Sequence, residues 1–272
     1  MFELLLFLIA FIGSLACGLY DLKTSNVPDS VCLLMIASGF IIHIVYGFST
    51  GDFANLVNSL LFGGLFLGFG LLMYFTGQWG GGDGELLVTI GVLLPTMTSV
   101  STIFPFSISF FVNSFFIGAI YSIIYSLILV CRTPKISKKF VSNMKSSKVL
   151  FACVVVAAFS TIFLFFSQPA FFAITILLLV LIVFQRFSKT IEESFYRRIP
   201  TKKLQVDDML GEDIPKLRLY KRYIKGLSQK QVDRIRKHKR YVIVRDGIRY
   251  GLVFPLSLLF TYFIGDFLLF FV

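Results

Sequence analysis

The sequence predicts an all-α polytopic membrane bundle of about eight spanning helices, at least six, with a small cytoplasmic α/β module. Three observations predict it. First, 56% of the 272 residues are hydrophobic and 33 are Phe, with a mean hydropathy of +0.83. Soluble chains run at ~45–50% apolar, so the excess must face something other than water. Second, several stretches reach the roughly 20 apolar residues that cross a bilayer. Third, the basic residues sort to one side of those stretches.

The expected spans are 2–20, 31–48, 56–75, 86–104, 106–131, 149–166, 170–187 and 251–272. The first lacks a basic leading region and a small-residue cleavage site, so it reads as a retained span and not a signal peptide. The loop from Arg132 to Lys148 holds six Lys and Arg (Arg132, Lys135, Lys138, Lys139, Lys145 and Lys148) and no acid. Placing it in the cytoplasm puts 21–30, 76–85 and 188–250 on the same side, and all 26 Lys and Arg then fall in or beside cytoplasmic segments. The formal net charge of +11 is therefore topological. It suits anionic lipid headgroups as partners and gives no support for nucleic acid.

Four sections follow from this layout. Residues 1–131 form the membrane core with both acidic motifs, 132–187 a basic loop plus an additional transmembrane hairpin, 188–250 a cytoplasmic module, and 251–272 the final span. In the module, Ser228 with Gln231 reads as a capping box opening a helix to about His238, with Val232 and Ile235 on one face. Tyr241–Arg245, Asp246-Gly247 and Ile248–Tyr250 read as strand, tight turn and second short strand. The acids Asp207, Asp208, Glu212 and Asp213 read as a solvated face balancing nearby bases. Cys17, Cys32, Cys131 and Cys153 show no Cys-x-x-Cys pair, so they read as small buried hydrophobes without zinc or disulfide spacing.

Charges at or within apolar spans are costly and functional by default. Asp29 reads as the N-cap of the second helix. Glu3 and Asp52 fall on the outer face with no special role, and Asp266 reads as snorkelling outward from the last span. His43 reads as a packing histidine; with His238 it makes no metal set and no Ser-His pair. Asp21 differs. It sits at the C-terminal end of the first span, where the helix dipole disfavours a carboxylate, and Lys23 offsets part of that cost.

Asp83 lies in Gly80-Gly81-Gly82-Asp83-Gly84-Glu85, just ahead of the fourth span. Glycines on both sides exceed what an N-cap needs; they imply close backbone approach and positive φ. The topology brings Asp21 and Asp83 to one membrane face under opposite helix-end fields. Two carboxyls in unlike environments are the pattern for acid/base work, with their titration shared by the pair. One takes a proton from water while the other polarises an amide carbonyl, with no metal and no organic cofactor.

Gly80-Gly-Gly-Asp83, with Asp21-Leu-Lys-Thr-Ser-Asn-Val-Pro28, resembles the GxGD aspartyl peptidases that process type IV prepilins and archaeal preflagellins. The run Gly80–Pro95, the Phe104-Pro105 with Phe111-Val-Asn113, and Ile264-Gly265-Asp266 are similar to the archaeal preflagellin peptidases. Val206–Glu212, Gly226–Gln229 and Ile243–Ile248 resemble the C-terminal region of archaeal prepilin peptidases. The resemblance implies that Asp21 and Asp83 are catalytic, with Gly80, Gly81, Gly82, Gly84, Glu85 and Lys23 shaping the site. It implies a type IV pilin-like or archaellin precursor as partner, cut at the cytoplasmic face behind a short basic leader, with 207–213 as counter-charge. Glu85 departs from the Lys common at that position, and the missing paired cysteines set the chain apart from relatives that also methylate. The rival reading is a proton- or ion-coupled transporter. That class places carboxylates near the midplane of repeated halves, and this chain shows neither feature.

Overall fold

The computed structural model describes residues 2–100, 102–132, 138, 142, 148–165, 195–206, 208–220, 226–245 and 247–267. They are mostly helical and fall into two compact units, Met1–Ile123 with Ile248–Val272, and Ile124–Gly247.

In the first unit, α1 (Phe2–Thr24), α2 (Asp29–Thr50) and α3 (Ala54–Thr76) run back and forth as hydrophobic rods. With α5 (Phe106–Arg132) they are the four helices among the described residues long and apolar enough to cross a membrane, at 23, 22, 23 and 27 residues. Their outward faces carry bare apolar side chains such as Leu34 and Phe48, 72% and 78% exposed, as a lipid-facing surface requires. Gly51 and Gly77 end α2 and α3 at positive φ, 74° each, where a left-handed residue frees the chain to turn. Asp29 is the first helical residue of α2 and Pro28 holds the cap position, so the expected Asp29 N-cap is not formed. There its charge still complements the helix dipole.

The expected span 86–104 is shorter than its hydropathy suggests. The helix α4 occupies Gly81–Leu93, 13 residues, or about 20 Å at 1.5 Å per residue. Pro95 ends it, having no N–H to give to Gly91 and a ring that crowds the preceding turn. Its buried residues include Leu86, Leu87, Ile90 and Leu93, all 0% exposed, so it is a core element. Glycine faces bring α3 onto it: a Cβ at Gly70 would stand 3.1 Å from the Gly84 Cα, and one at Gly63 2.6 Å from a Val92 methyl. The carbonyl of Val92, deprived of a regular helical donor, accepts Ser59 Oγ at 2.7 Å and lies 3.1 Å from His43 Nε2.

The last helix of this unit, α8, is Val253–Ile264, entered through a 3₁₀ turn at Tyr250–Leu252 and ended at Gly265 (φ 84°). Pro255 sits in its first turn, where a missing N–H costs nothing. It is shorter than the expected span 251–272. At the far end from the glycine motif, Glu3 accepts the N–H groups of Thr98 (2.8 Å) and Ser99 (3.0 Å), so it anchors the chain beyond α4 and is not idle. Asp266 is 2% exposed and accepts the Ile103 N–H, which replaces the expected outward snorkel. Asn113 donates to Thr261 Oγ1 at 2.9 Å and Gly265 O at 2.8 Å, tying α5 to the end of α8.

The second unit contains α6 (Lys148–Phe165), then β1 (Tyr196–Pro200), β2 (Met209–Leu210), α7 (Gln229–His238) and β3 (Tyr241–Arg245). The expected span 170–187 and Asp207 lie outside the described residues. The helix α7 opens on Ser228, whose N–H donates to Gln231 Oε1 at 2.8 Å, and buries Val232 and Ile235. The hairpin expected after β3 does not form. Strand β3 is instead central in an antiparallel sheet of order β1-β3-β2, with Pro200 opposite Tyr241 and Leu210 opposite Val244. Residues 248–250 are not part of the sheet, and Tyr250 opens the 3₁₀ turn that leads into α8. Among the acids of this unit, Asp208 accepts the Gln205 N–H at 2.7 Å, and Glu212 pairs with Lys239 at 3.1 Å.

Candidate functional site

Asp21 occupies the last turn of α1 and is 7% exposed. The chain there is helical to Thr24 and turns at Ser25, whose φ of 59° is carried by a residue other than glycine. Asp83 is the third residue of α4, with Gly80 as N-cap, and its Oδ2 accepts the Gly80 N–H at 3.3 Å. The two carboxylates, 62 positions apart, come within electrostatic reach of each other. The bundle thus joins a helix C-terminus to a helix N-terminus with one acid on each.

The glycines act by size. None of Gly80, Gly81, Gly82 and Gly84 has positive φ, so the expected left-handed backbone is absent. Gly82 makes the tightest approach: a Cβ there would lie 2.5 Å from Val27 Cβ, in the Val-Pro that follows Asp21. Gly84 meets Gly70 of α3, where its Cβ would be 3.4 Å from the Gly70 Cα. Gly80 and Gly81 have room, with nearest contacts of 3.5 and 3.9 Å. The motif therefore lets α4 seat against both α3 and the Asp21 loop.

Lys23 and Glu85 stand apart from the pair. Lys23 is exposed in the last turn of α1, and the cation that acts on Asp21 is Arg249. Glu85 faces the start of α2, where it feels Asp29, and it lies near the buried Cys17 and Cys32, whose thiols hydrogen-bond to each other. The groups that act on Asp83 are Asp21 and Gly80. His43 is a packing group between α2 and α4, edge-on to Phe2 at 5.6 Å. Among the described residues no three His, Cys, Asp or Glu side chains converge as a metal set.

Three further residues reach the pair from the start of α8. Gly251 donates its N–H to Asp21 Oδ2 at 3.0 Å, and a Cβ there would stand 3.1 Å from that oxygen. Arg249 donates to the Leu22 carbonyl at the end of α1. Tyr250 lies within electrostatic reach of Asp83, stacks obliquely on Trp79 at 5.9 Å and donates its hydroxyl to Ser114 O at 3.1 Å. Gly118 leaves the space that this tyrosine fills.

Residues 8–123, which hold both aspartates, match the family described as the Type IV leader peptidase family. Over that stretch, less than half of its length, the chain is similar to the type IV leader peptidases. A preflagellin peptidase of Methanocaldococcus jannaschii is 33% identical over 91 residues, 33% of this chain and 38% of that protein. One of Methanococcus maripaludis is 25% identical over 150 residues, 50% of this chain and 64% of its own length. One of Methanococcus voltae is 29% identical over 90 residues, 32% of this chain and 37% of that protein. The chain thus spans less than two thirds of the length of each. No solved structure matches it. Within residues 8–123, the glycine motif at the head of α4 and the acid at the end of α1 are the groups that the fold brings together.

Proposed function

We propose that the chain is a membrane aspartyl endopeptidase that removes the short basic leader of type IV pilin-like or archaellin precursors. The observation that carries this reading is the meeting of Asp21 and Asp83, from two helix ends, inside the stretch that matches the Type IV leader peptidase family. One ionised carboxylate accepts a proton from a water as that water adds to the scissile carbonyl carbon. The other, protonated, hydrogen-bonds the carbonyl oxygen and stabilises the developing charge. The tetrahedral adduct collapses with C–N cleavage as the proton gained by the first carboxylate passes to the leaving amine. Both acids end ready for the next cycle, and no covalent enzyme intermediate forms.

The basic segments support a cytoplasmic location for the pair and for residues 188–250. A precursor anchored by its hydrophobic helix would then present its leader at the depth where α1 ends and α4 begins. The printed names of the three relatives support the precursor class. Eight spans remain our topological proposal, with 170–187 as the partner of 149–166.

The test is cleavage of a co-expressed pilin-like precursor in membranes by wild type, Asp21→Asn and Asp83→Asn. Each substitution should slow cleavage by at least about 100-fold, the low end of general acid–base contributions. Near-normal cutting by either variant would sink the dyad.

A further inference from the structure

We infer that Arg249, Tyr250 and Gly251 form a third arm of the site, whose task is to fix the orientation of the Asp21 carboxylate. The inference rests on the aspartyl-peptidase reading and adds positioning residues to it.

The Asp21 side chain leaves a helix end and, without an external contact, could rotate about two torsions. Gly251 restrains it: its N–H holds Oδ2 at 3.0 Å in a buried contact. Asp83 has the matching arrangement, with Oδ2 held by the Gly80 N–H at 3.3 Å. Each carboxylate therefore has one oxygen occupied by a glycine backbone donor. An oxygen that accepts an N–H is a poor place for a proton, so on both acids proton exchange falls to Oδ1. That leaves one working oxygen per acid, which is what a water and a carbonyl oxygen require.

The donor itself is located by packing. A Cβ at Gly18 would lie 2.9 Å from the Gly251 carbonyl carbon and oxygen, and a Cβ at Gly251 3.1 Å from the Gly18 Cα and the Asp21 Cβ. Two glycines facing each other set the spacing between α1 and the 3₁₀ turn, and any larger residue at either position moves Asp21. Arg249 fastens the same turn to α1 through the Leu22 carbonyl, one residue past Asp21, and puts its positive charge beside the carboxylate. Tyr121 Oη donates to the Arg249 carbonyl at 2.8 Å, and Tyr250 bonds Ser114 O, so α5 braces the arm from behind. The aromatic contact of Tyr250 with Trp79 links the arm to the residue that precedes Gly80.

The test is steady-state cleavage of a purified pilin-like precursor by the full-length protein in detergent, with melting temperature measured on each variant. Gly251→Ala and Arg249→Gln should each lower kcat about 10- to 100-fold, the scale on which misplacing a reacting group by about 1 Å acts, while KM stays within about 2-fold. Arg249→Lys, which keeps the cation and one donor, should recover most of the kcat lost in Arg249→Gln. Asp21→Asn is run alongside. If it cuts normally, the dyad reading itself falls. If it is dead while a folded Gly251→Ala or Arg249→Gln keeps wild-type kcat, the dyad stands and the third arm falls. Should Gly251→Ala not fold, Arg249→Gln against Arg249→Lys decides. Loss of the fold in both Gly251→Ala and Arg249→Gln, or a Lys no better than Gln, makes the segment merely structural and overturns the inference.

Discussion

At Gly82 the fold leaves no room for a side chain. A methyl group there would overlap Val27, whose Cβ and Cγ2 lie 2.5 and 2.7 Å from the added carbon. The backbone fixes that Cβ, and valine is stiff at χ1, so no side-chain rotation relieves the overlap. Gly82→Ala should therefore push the Asp21 loop away from α4 and cut precursor cleavage about 10-fold or more. Removing the neighbour's side chain to make room, in a Gly82→Ala/Val27→Gly double variant, should restore part of the rate. A double-mutant cycle on cleavage rates checks it; strictly additive losses would mean that the two residues do not share the space. Much of this scale was legible in the sequence: an acid ringed by glycines announces close approach, and the two aspartates stand out as charges at span ends. Arg249 and Gly251 were not legible. They lie 227 and 230 positions from their partners at Leu22 and Asp21, the first in the short strand expected over 248–250 and the second at the head of the span expected over 251–272. The cation placed on Asp21 by sequence, Lys23, is two residues away along the chain but exposed on the surface.

Among the elements, α4 shows how a short helix can be secured inside apolar surroundings. Pro95 leaves the last carbonyls without their ordinary donors, and an unpaired buried carbonyl costs about 1–3 kcal/mol. Ser59 of α3 and His43 of α2 both converge on Val92 O. Ser59→Ala should lower stability by about 1 kcal/mol because His43 still serves the carbonyl. Removing both, in Ser59→Ala/His43→Leu, should cost more than the sum of the single losses. Thermal unfolding in detergent is the measurement, and simple additivity would show that the two donors do not substitute for each other. The spans α1, α2, α3 and α5 were readable because hydropathy is a local property and each runs unbroken for more than 20 residues. Helix α4 was overread for the same reason: its apolar run continues past Pro95, and hydropathy does not register a broken helix. Strand β3 was readable from its β-branched residues, whereas its partners, β1 and β2, precede it by more than 30 residues and carry weak patterns of their own.

For the whole molecule, charge asymmetry makes a prediction that no single contact contains. If the basic segments lie inside, Asp52, between α2 and α3, faces outward, and Lys138 faces the cytoplasm. One cysteine added at either position, in a background with Cys131→Ser and Cys153→Ser that keeps only the buried Cys17 and Cys32, should divide cleanly. A membrane-impermeant maleimide added to intact cells should label Asp52→Cys and spare Lys138→Cys until the membrane is opened. Labelling in the reverse order would invert the bundle and move the acid pair to the outer surface, where a leader held in the cytoplasm could not meet it.

The contact between Gly251 and Asp21 also has a meaning in time. At synthesis rates of roughly 5–20 residues per second, the 230 positions that separate them take about 10 to 50 s to make. Once α4 has followed α1, both acids are present, yet the donor for Asp21 has not emerged. On the proposed reading, a half-made chain would hold carboxylates without an alignment, in a membrane where newly made precursors also arrive. On the proposed reading, competence waits for the turn that opens α8, so the order of synthesis itself withholds the blade until the handle is on.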